Sequence, residues 1–265
     1  MLNEMARQFF ATSPSTGLLV VTTFAGLFGG FVRGYSGFGF ALAAVPVLGL
    51  ALPPYIAIPA VMPIELAIGL ATMPSERRNV ALRPLGWLVL GTLVGTPIGI
   101  TFLSRIPAEQ MRIFISLVVV LAVVILWRRP VLPINMLGRP ALIGAGLISG
   151  LLNGGAAMSG PPAIIALLGG RLETRVARAT LIAFVAFSAA LGVVFGIASG
   201  LVGIASLQAT LLLGPGAALG GLLGLSVFSC TANSSYHRAS LAILLLVSLS
   251  AIGSAAFTLL TSSSL

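Results

Sequence analysis

The chain has 265 residues, of which 58% are hydrophobic and 7% are charged, and its mean hydropathy is +1.13. A soluble domain carries roughly 25% charged residues, so this composition excludes an ordinary water-soluble protein and predicts a surface that faces lipid. One cysteine and one histidine, Cys230 and His237, exclude an internal disulfide and argue against zinc, haem or iron–sulfur chemistry. We therefore expect no cofactor and no bound metal.

The net charge of +9 comes from 14 basic residues, all arginine, and five acidic residues, all glutamate. Most of them lie in short stretches between apolar runs. This pattern is typical of a protein that orients itself in a bilayer. We expect the lipid bilayer, and no nucleic acid, as a partner.

Residues 1–16 are polar and precede the first apolar run. They lack the basic start and the small-residue cleavage site of a signal peptide, so we interpret them as a retained, extracytoplasmic segment. Crossing about 30 Å of hydrocarbon takes about 20 residues, and the backbone must be helical because lipid cannot satisfy open polar groups. Six later runs have about this length: Tyr55–Met73, Pro84–Ser104, Met111–Trp127, Ala179–Ser199, Leu207–Phe228 and Ala239–Leu260.

Two ladders of glycines, spaced four residues apart, occur in each half of the chain. Gly26, Gly30 and Gly34 recur 120 residues later as Gly146, Gly150 and Gly154, and Gly91, Gly95 and Gly99 recur 125 residues later as Gly216, Gly220 and Gly224. Such ladders let helix backbones approach closely in membranes. Their recurrence predicts a duplication, with a first transmembrane repeat over 17–130 and a second over 131–265.

The start of each half reads as two helical segments joined by a glycine-rich junction: segments 17–32 and 38–52 in the first half, and 141–152 and 162–170 in the second. Segment 141–152 would span only about 18 Å. We interpret all four segments as half-helices that meet near the midplane. Secondary transporters place substrate at such broken helices.

The loop arginines discriminate between two topologies. If each segment pair makes one broken crossing, the arginines divide almost evenly, and Arg78 lies opposite Arg175. If each pair forms a hairpin that returns to its own side, ten arginines share a side against Arg7, Arg105 and Arg112. The second arrangement follows the positive-inside rule. It predicts extracytoplasmic termini and an all-α polytopic fold of two inverted repeats, each a broken-helix hairpin followed by three transmembrane helices.

The two junctions form the candidate substrate site. They contain backbone and side-chain donors and no carboxylate, as binding of a small anion requires, and polar residues within apolar sequence are usually functional. The candidate residues are Arg33, Gly34, Tyr35, Ser36 and Gly37 in the first junction, and Asn153, Gly154, Gly155, Ser159, Gly160 and Pro161 in the second. The alternative is that these are turns in which serine and asparagine cap helices.

Arg33 and Glu65 each allow two interpretations. Arg33 is a substrate ligand or an anchor at the membrane surface. Glu65 is the only acidic residue inside an apolar span. It is a candidate carrier of a coupling proton, or a structural partner, for example of Arg33.

The stretches "GGFVRGYSGFGFALAAVPVL" and "SGLLNGGAAMSGPPAII", with the arginine-rich loop near Arg77, resemble the sulfite exporter TauE/SafE family of membrane transporters. The likeness covers about residues 18–260. It implies a multi-pass transporter of sulfite or a small organosulfonate in the bacterial inner membrane.

Three function classes remain on the sequence alone. A secondary transporter is favoured by inverted halves with broken hairpins. The resemblance implies sulfite or a small organosulfonate as its substrate, and the alternative is a non-sulfur carboxylate. An anion channel would share the helices and the donors. A membrane-embedded enzyme is disfavoured because one histidine, one cysteine and no aspartate leave no nucleophile–base pair.

Overall fold

The structure of the protein is a computed structural model that describes residues 16–128, 138–169 and 172–230. Over these ranges the chain forms nine α-helices, a 3-10 helix at Arg77–Asn79 and no strand. The helices are α1 (Thr16–Ser36), α2 (Phe40–Leu48), α3 (Pro54–Glu76), α4 (Leu82–Arg105), α5 (Ala108–Arg128), α6 (Arg139–Ala156), α7 (Gly160–Gly169), α8 (Thr174–Ala198) and α9 (Ile204–Cys230).

Five of the six long apolar runs coincide with α3, α4, α5, α8 and α9, and the sixth, Ala239–Leu260, lies outside the described residues. In the described part of the chain, α1, α3, α4, α8 and α9 are long and apolar enough to cross a membrane. Large apolar side chains on these helices are exposed, including Val20, Val94 and Leu211. Lipid is the environment that such a surface requires. The prediction of an all-α polytopic membrane protein is therefore confirmed.

The helices pack into two compact units. Among the described residues, unit 1 comprises 16–60, 106–127 and 202–230, and unit 2 comprises 61–105, 128, 138–169 and 172–201. Each unit thus combines segments from both halves of the sequence.

In unit 1, α1 and α9 lie parallel with their backbones in direct contact. A methyl group added to any of three α1 glycines would overlap a carbonyl oxygen of α9. The overlapping pairs are Gly26 with Leu213, Gly30 with Ala217, and Gly34 with Gly221. At these glycines no side chain holds the helices apart. The two backbones therefore gain dispersion contact along the whole line of contact between α1 and α9, which we call a glycine seam.

Unit 2 repeats this arrangement with α4 and α6. Methyl groups added to the α4 glycines would overlap carbonyl oxygens of α6. The pairs are Gly91 with Ile143, Gly95 with Leu147, and Gly99 with Leu151. The prediction that the ladders pack helices closely is confirmed. The first ladder of each half of the sequence therefore packs against the second ladder of the other half.

The prediction that the first segment of each pair is a half-helix is wrong. Helix α1 has 21 residues and α6 has 18, or about 31 and 27 Å. Both run through the glycines that the sequence suggested as breaks, because those glycines pack against α9 and α4 and gain more from contact than they lose in helix propensity. The second segments are short, with nine residues in α2 and ten in α7.

The end of α3 and the starts of α4, α6 and α8 lie at one end of unit 2. Arg178 forms a 3.8 Å ion pair with Glu76, and the backbone N–H of Ala81 donates to Thr180 Oγ1 at 2.9 Å. The guanidinium of Arg139 lies 5.1 Å from the ring centre of Trp87, near the start of α4. Helix α6 therefore begins at the same end of unit 2 at which α7 ends. This geometry excludes the topology in which Arg78 and Arg175 face opposite sides.

Candidate functional site

The first junction is a tight turn between α1 and α2. Gly37 and Gly39 have φ values of 83° and 90°, which only glycine adopts without strain. Helix α2 then runs back beside α1, so that Gly29 contacts Phe40 and Ala44. The break between the two helices lies at 37–39, later than the sequence suggested.

Ser36 closes this turn. Its Oγ lies 2.7 Å from the carbonyl oxygen of Val32 and 2.5 Å from that of Phe38, and it accepts from the Phe38 N–H at 3.4 Å. A hydroxyl has one proton to donate. The turn uses that proton, so the capping interpretation fits Ser36 better than a ligand role does.

Arg33 and Tyr35 are buried in the last turn of α1. Arg33 is 3% exposed, and the Tyr35 ring, 0% exposed, stacks on Phe31 at 6.4 Å between ring centres. A position near the C-terminal end of a helix favours a cation. Burial on this scale places Arg33 inside the protein structure rather than among the exposed side chains of α1.

The second junction ends α6 with a non-glycine residue in the left-handed region, Ala157, whose φ is 57°. Its N–H donates to the carbonyl oxygen of Asn153 at 2.8 Å, and the Met158 N–H donates to that of Leu152 at 3.1 Å. The bond from the αL residue Ala157 back to Asn153 is that of the αL helix-end motif. Placing alanine there costs about 1 kcal/mol or more, and such strain is often found at functional sites.

Asn153 lies one turn before this end and is 1% exposed. Its amide Nδ2 donates to the carbonyl oxygen of Ser188 at 2.7 Å and lies 3.4 Å from Thr96 Oγ1. In the described part of the chain its Oδ1 has no hydrogen-bond partner. Asn153 thus presents an acceptor, whereas the sequence suggested a donor.

Ser159 immediately precedes α7 and is 1% exposed. It occupies the position of a helix cap, yet its Oγ bonds to nothing within the described ranges. The capping interpretation therefore does not account for Ser159. Pro161 and Pro162 have no N–H, so the donors at this helix start reduce to the Ser159 hydroxyl and the backbone N–H groups of Ser159 and Gly160.

The glycines at the two junctions differ in role. Gly34 and Gly154 are ladder residues, since added methyl groups would overlap the carbonyl oxygens of Gly221 and Thr96. Gly155 is buried in the last turn of α6, and Gly160 is buried at the start of α7. Helix packing therefore explains Gly34 and Gly154 without a ligand.

Glu65 lies in α3 and is 3% exposed, as expected for an acidic residue inside an apolar span. Two buried hydroxyls that sequence analysis did not single out are Ser149 and Ser188, both 0% exposed. The sequence contains only a weak signal for Ser149: it precedes Asn153 by four residues and so shares its helix face. In the described residues, histidine, cysteine, aspartate and glutamate form no group of three that could hold a metal.

A sequence profile described as "Sulfite exporter TauE/SafE" matches residues 22–252. Comparison with curated proteins and comparison with solved structures gave no match.

Proposed function

The chain belongs to the sulfite exporter TauE/SafE family of membrane transporters, and on this basis we propose that it is a secondary transporter of sulfite or a small organosulfonate. We further propose that its two halves are inverted repeats that alternate access to the substrate, in a bacterial inner membrane. The family match supports the substrate class, and the similar helix seams of the two units support a duplicated plan.

The observation that carries the proposal is the start of α7. Ser159 offers a buried hydroxyl whose Oγ bonds to no described residue, next to a helix N-terminus and in a junction, 153–162, without a carboxylate. A helix N-terminus carries positive partial charge and attracts anions. The Ser159 hydroxyl and the N–H groups of Ser159 and Gly160 would hold the substrate.

A sulfonate presents three oxygens and a carboxylate two. A set of separate neutral donors can therefore satisfy more of the charge on a sulfonate. Neutral donors also release the ion more readily than a fixed, desolvated ion pair does. We expect a sulfonate to bind more tightly than a carboxylate of similar size.

Counterflow in proteoliposomes tests the transporter proposal against the channel alternative. Vesicles loaded with unlabelled sulfoacetate should transiently accumulate labelled sulfoacetate above its outside concentration, because a carrier exchanges one substrate for another. Uptake of taurine, isethionate, sulfite and thiosulfate should be measured in the same way, with lactate as the carboxylate for comparison. Uptake that only equilibrates would indicate a channel, and uptake of lactate alone would contradict the substrate class.

The arginine-rich end of unit 2 should face the cytoplasm, with both chain termini outside, because positive loops are retained inside. Single cysteines at positions 78 and 175, in a background with Cys230→Ser, should react with a membrane-impermeant maleimide only after the membrane is opened. A cysteine at position 105 should react in intact cells. Labelling of position 78 or 175 from outside intact cells would overturn this orientation.

A further inference from the structure

Four buried polar residues of unit 2 form a neutral-oxygen cluster: Thr96 of α4, Ser149 and Asn153 of α6, and Ser188 of α8. Each is at most 1% exposed. The Asn153 amide contacts Thr96 Oγ1 and the Ser188 carbonyl oxygen. Ser149 precedes Asn153 by four residues and so lies one turn away on the same face of α6.

Three oxygens of this cluster bond to no described residue: Ser149 Oγ, Asn153 Oδ1 and Ser188 Oγ. Buried polar atoms are normally satisfied, and an exception requires an explanation such as a bound ion. The serines also depart from the pattern of this chain. Other helical hydroxyls, including Thr22, Thr72, Thr101, Thr180 and Thr210, donate to the carbonyl oxygen four residues earlier.

The orientation of the Asn153 amide determines the sign of the ligand. Exchanging its oxygen and nitrogen would place Oδ1 2.7 Å from the Ser188 carbonyl oxygen, where two acceptors would repel each other. The amide nitrogen therefore faces Ser188, and the unpartnered atom is an oxygen that can only accept. An anion cannot use that atom, whereas a cation can.

We infer that the neutral-oxygen cluster binds a sodium ion that is coupled to transport. Hard cations take oxygen ligands, and transporters hold Na⁺ with neutral oxygens near the C-terminal ends of broken helices. Asn153 lies three residues before the end of α6, at the negative end of the helix dipole. The cluster has no carboxylate, which disfavours a divalent ion, and no titratable group, so it cannot itself carry a proton.

The space beside Asn153 is small. A methyl group added at Gly192 of α8 would lie 3.2 Å from Asn153 Nδ2 and 3.0 Å from Met62 Sδ. The inference rests on the proposed transport function for its coupling role, but ion binding is measurable without transport.

The test compares purified wild type with the double variant Ser149→Ala, Ser188→Ala. These hydroxyls make no hydrogen bond within the described residues, so their removal should leave the fold intact. In wild type, NaCl should raise the melting temperature in a saturable way relative to choline chloride at equal ionic strength, and KCl should not. The double variant should need at least about tenfold more Na⁺ for the same rise, as expected when ligand bonds are lost. Ser116→Ala, a buried serine of α5 in unit 1, is the control and should respond to Na⁺ like wild type.

Equal melting temperatures in NaCl and choline chloride would overturn the inference, and so would an undiminished Na⁺ response in the double variant. A rise with KCl but not with NaCl would also overturn it. Sulfoacetate uptake at fixed pH, with and without an inward Na⁺ gradient, tests the coupling. Uptake that is the same with and without the Na⁺ gradient would refute the coupling and leave the proposed function intact, whereas absence of all counterflow with a normal Na⁺ response would refute the proposed function alone.

Discussion

Gly146→Ala should destabilise the protein, whereas Gly144→Ala, two residues away on the same helix, should not. A methyl group at Gly146 would overlap the Leu88 carbonyl oxygen, with the Leu88 carbonyl carbon and Cα at 2.8 and 3.0 Å. These are backbone atoms of α4, so the helices must separate. At Gly144 nothing lies within 4 Å, and alanine is a better helix former than glycine.

Overpacking of this kind costs about 1–3 kcal/mol. The melting temperature of Gly146→Ala in detergent should therefore fall about 2–12 °C below that of Gly144→Ala. Unit 1 offers a second matched pair on α9. Gly220→Ala would overlap the Leu27 carbonyl oxygen, whereas a methyl at Gly221 would be 3.9 Å from the nearest atom. Equal melting temperatures within both pairs would show that the glycine seams are loosely packed.

Glu65→Gln should abolish accumulation driven by a pH gradient and preserve exchange of substrate for substrate. The substitution keeps the shape of a buried side chain but removes its ability to gain and lose a proton. If Glu65 carries the coupling proton, accumulation requires that proton movement, whereas exchange does not. Uptake should be measured at fixed Na⁺ with an imposed pH difference, so that the sodium site does not contribute.

Glu76→Gln is the matched control, because Glu76 is a part-exposed residue at the end of α3 that pairs with Arg178. It should retain pH-driven accumulation. If Glu65→Gln also retained it, Glu65 would be a structural residue and proton coupling through it would be excluded.

The helices and their spacing could be predicted from the sequence because lipid imposes both length and composition. The glycine ladders could likewise be interpreted as helix contacts, since the glycines within each ladder, such as those that begin at Gly91 and at Gly146, recur every four residues. Which ladder meets which could not be predicted. The spacing of the glycines is the same in all four ladders, so it does not distinguish them. Which ladder packs against which depends on the arrangement of the other helices.

The helix ends were harder to predict than the helices. Asn153 and Gly154 suggested a loop by composition, but contact with α4 keeps both in α6, and the turn instead falls at Ala157, a residue type that gives no turn signal. Ser36 and Ser159 could not be told apart in sequence. The difference between a hydroxyl used in a turn and one that is not depends on side-chain rotamers, which neighbouring helices determine.

Sulfonate binding to Ser159→Ala, compared with the exposed-serine control Ser75→Ala, tests the central claim most directly. Loss of one hydrogen bond to a charged ligand costs about 1.5–3 kcal/mol, or roughly tenfold to a hundredfold in affinity. Equilibrium binding of labelled sulfoacetate to the purified proteins should therefore weaken by that factor in Ser159→Ala and stay at the wild-type value in Ser75→Ala. Equal affinity in wild type and Ser159→Ala, with both proteins folded, would contradict an anion site at the start of α7.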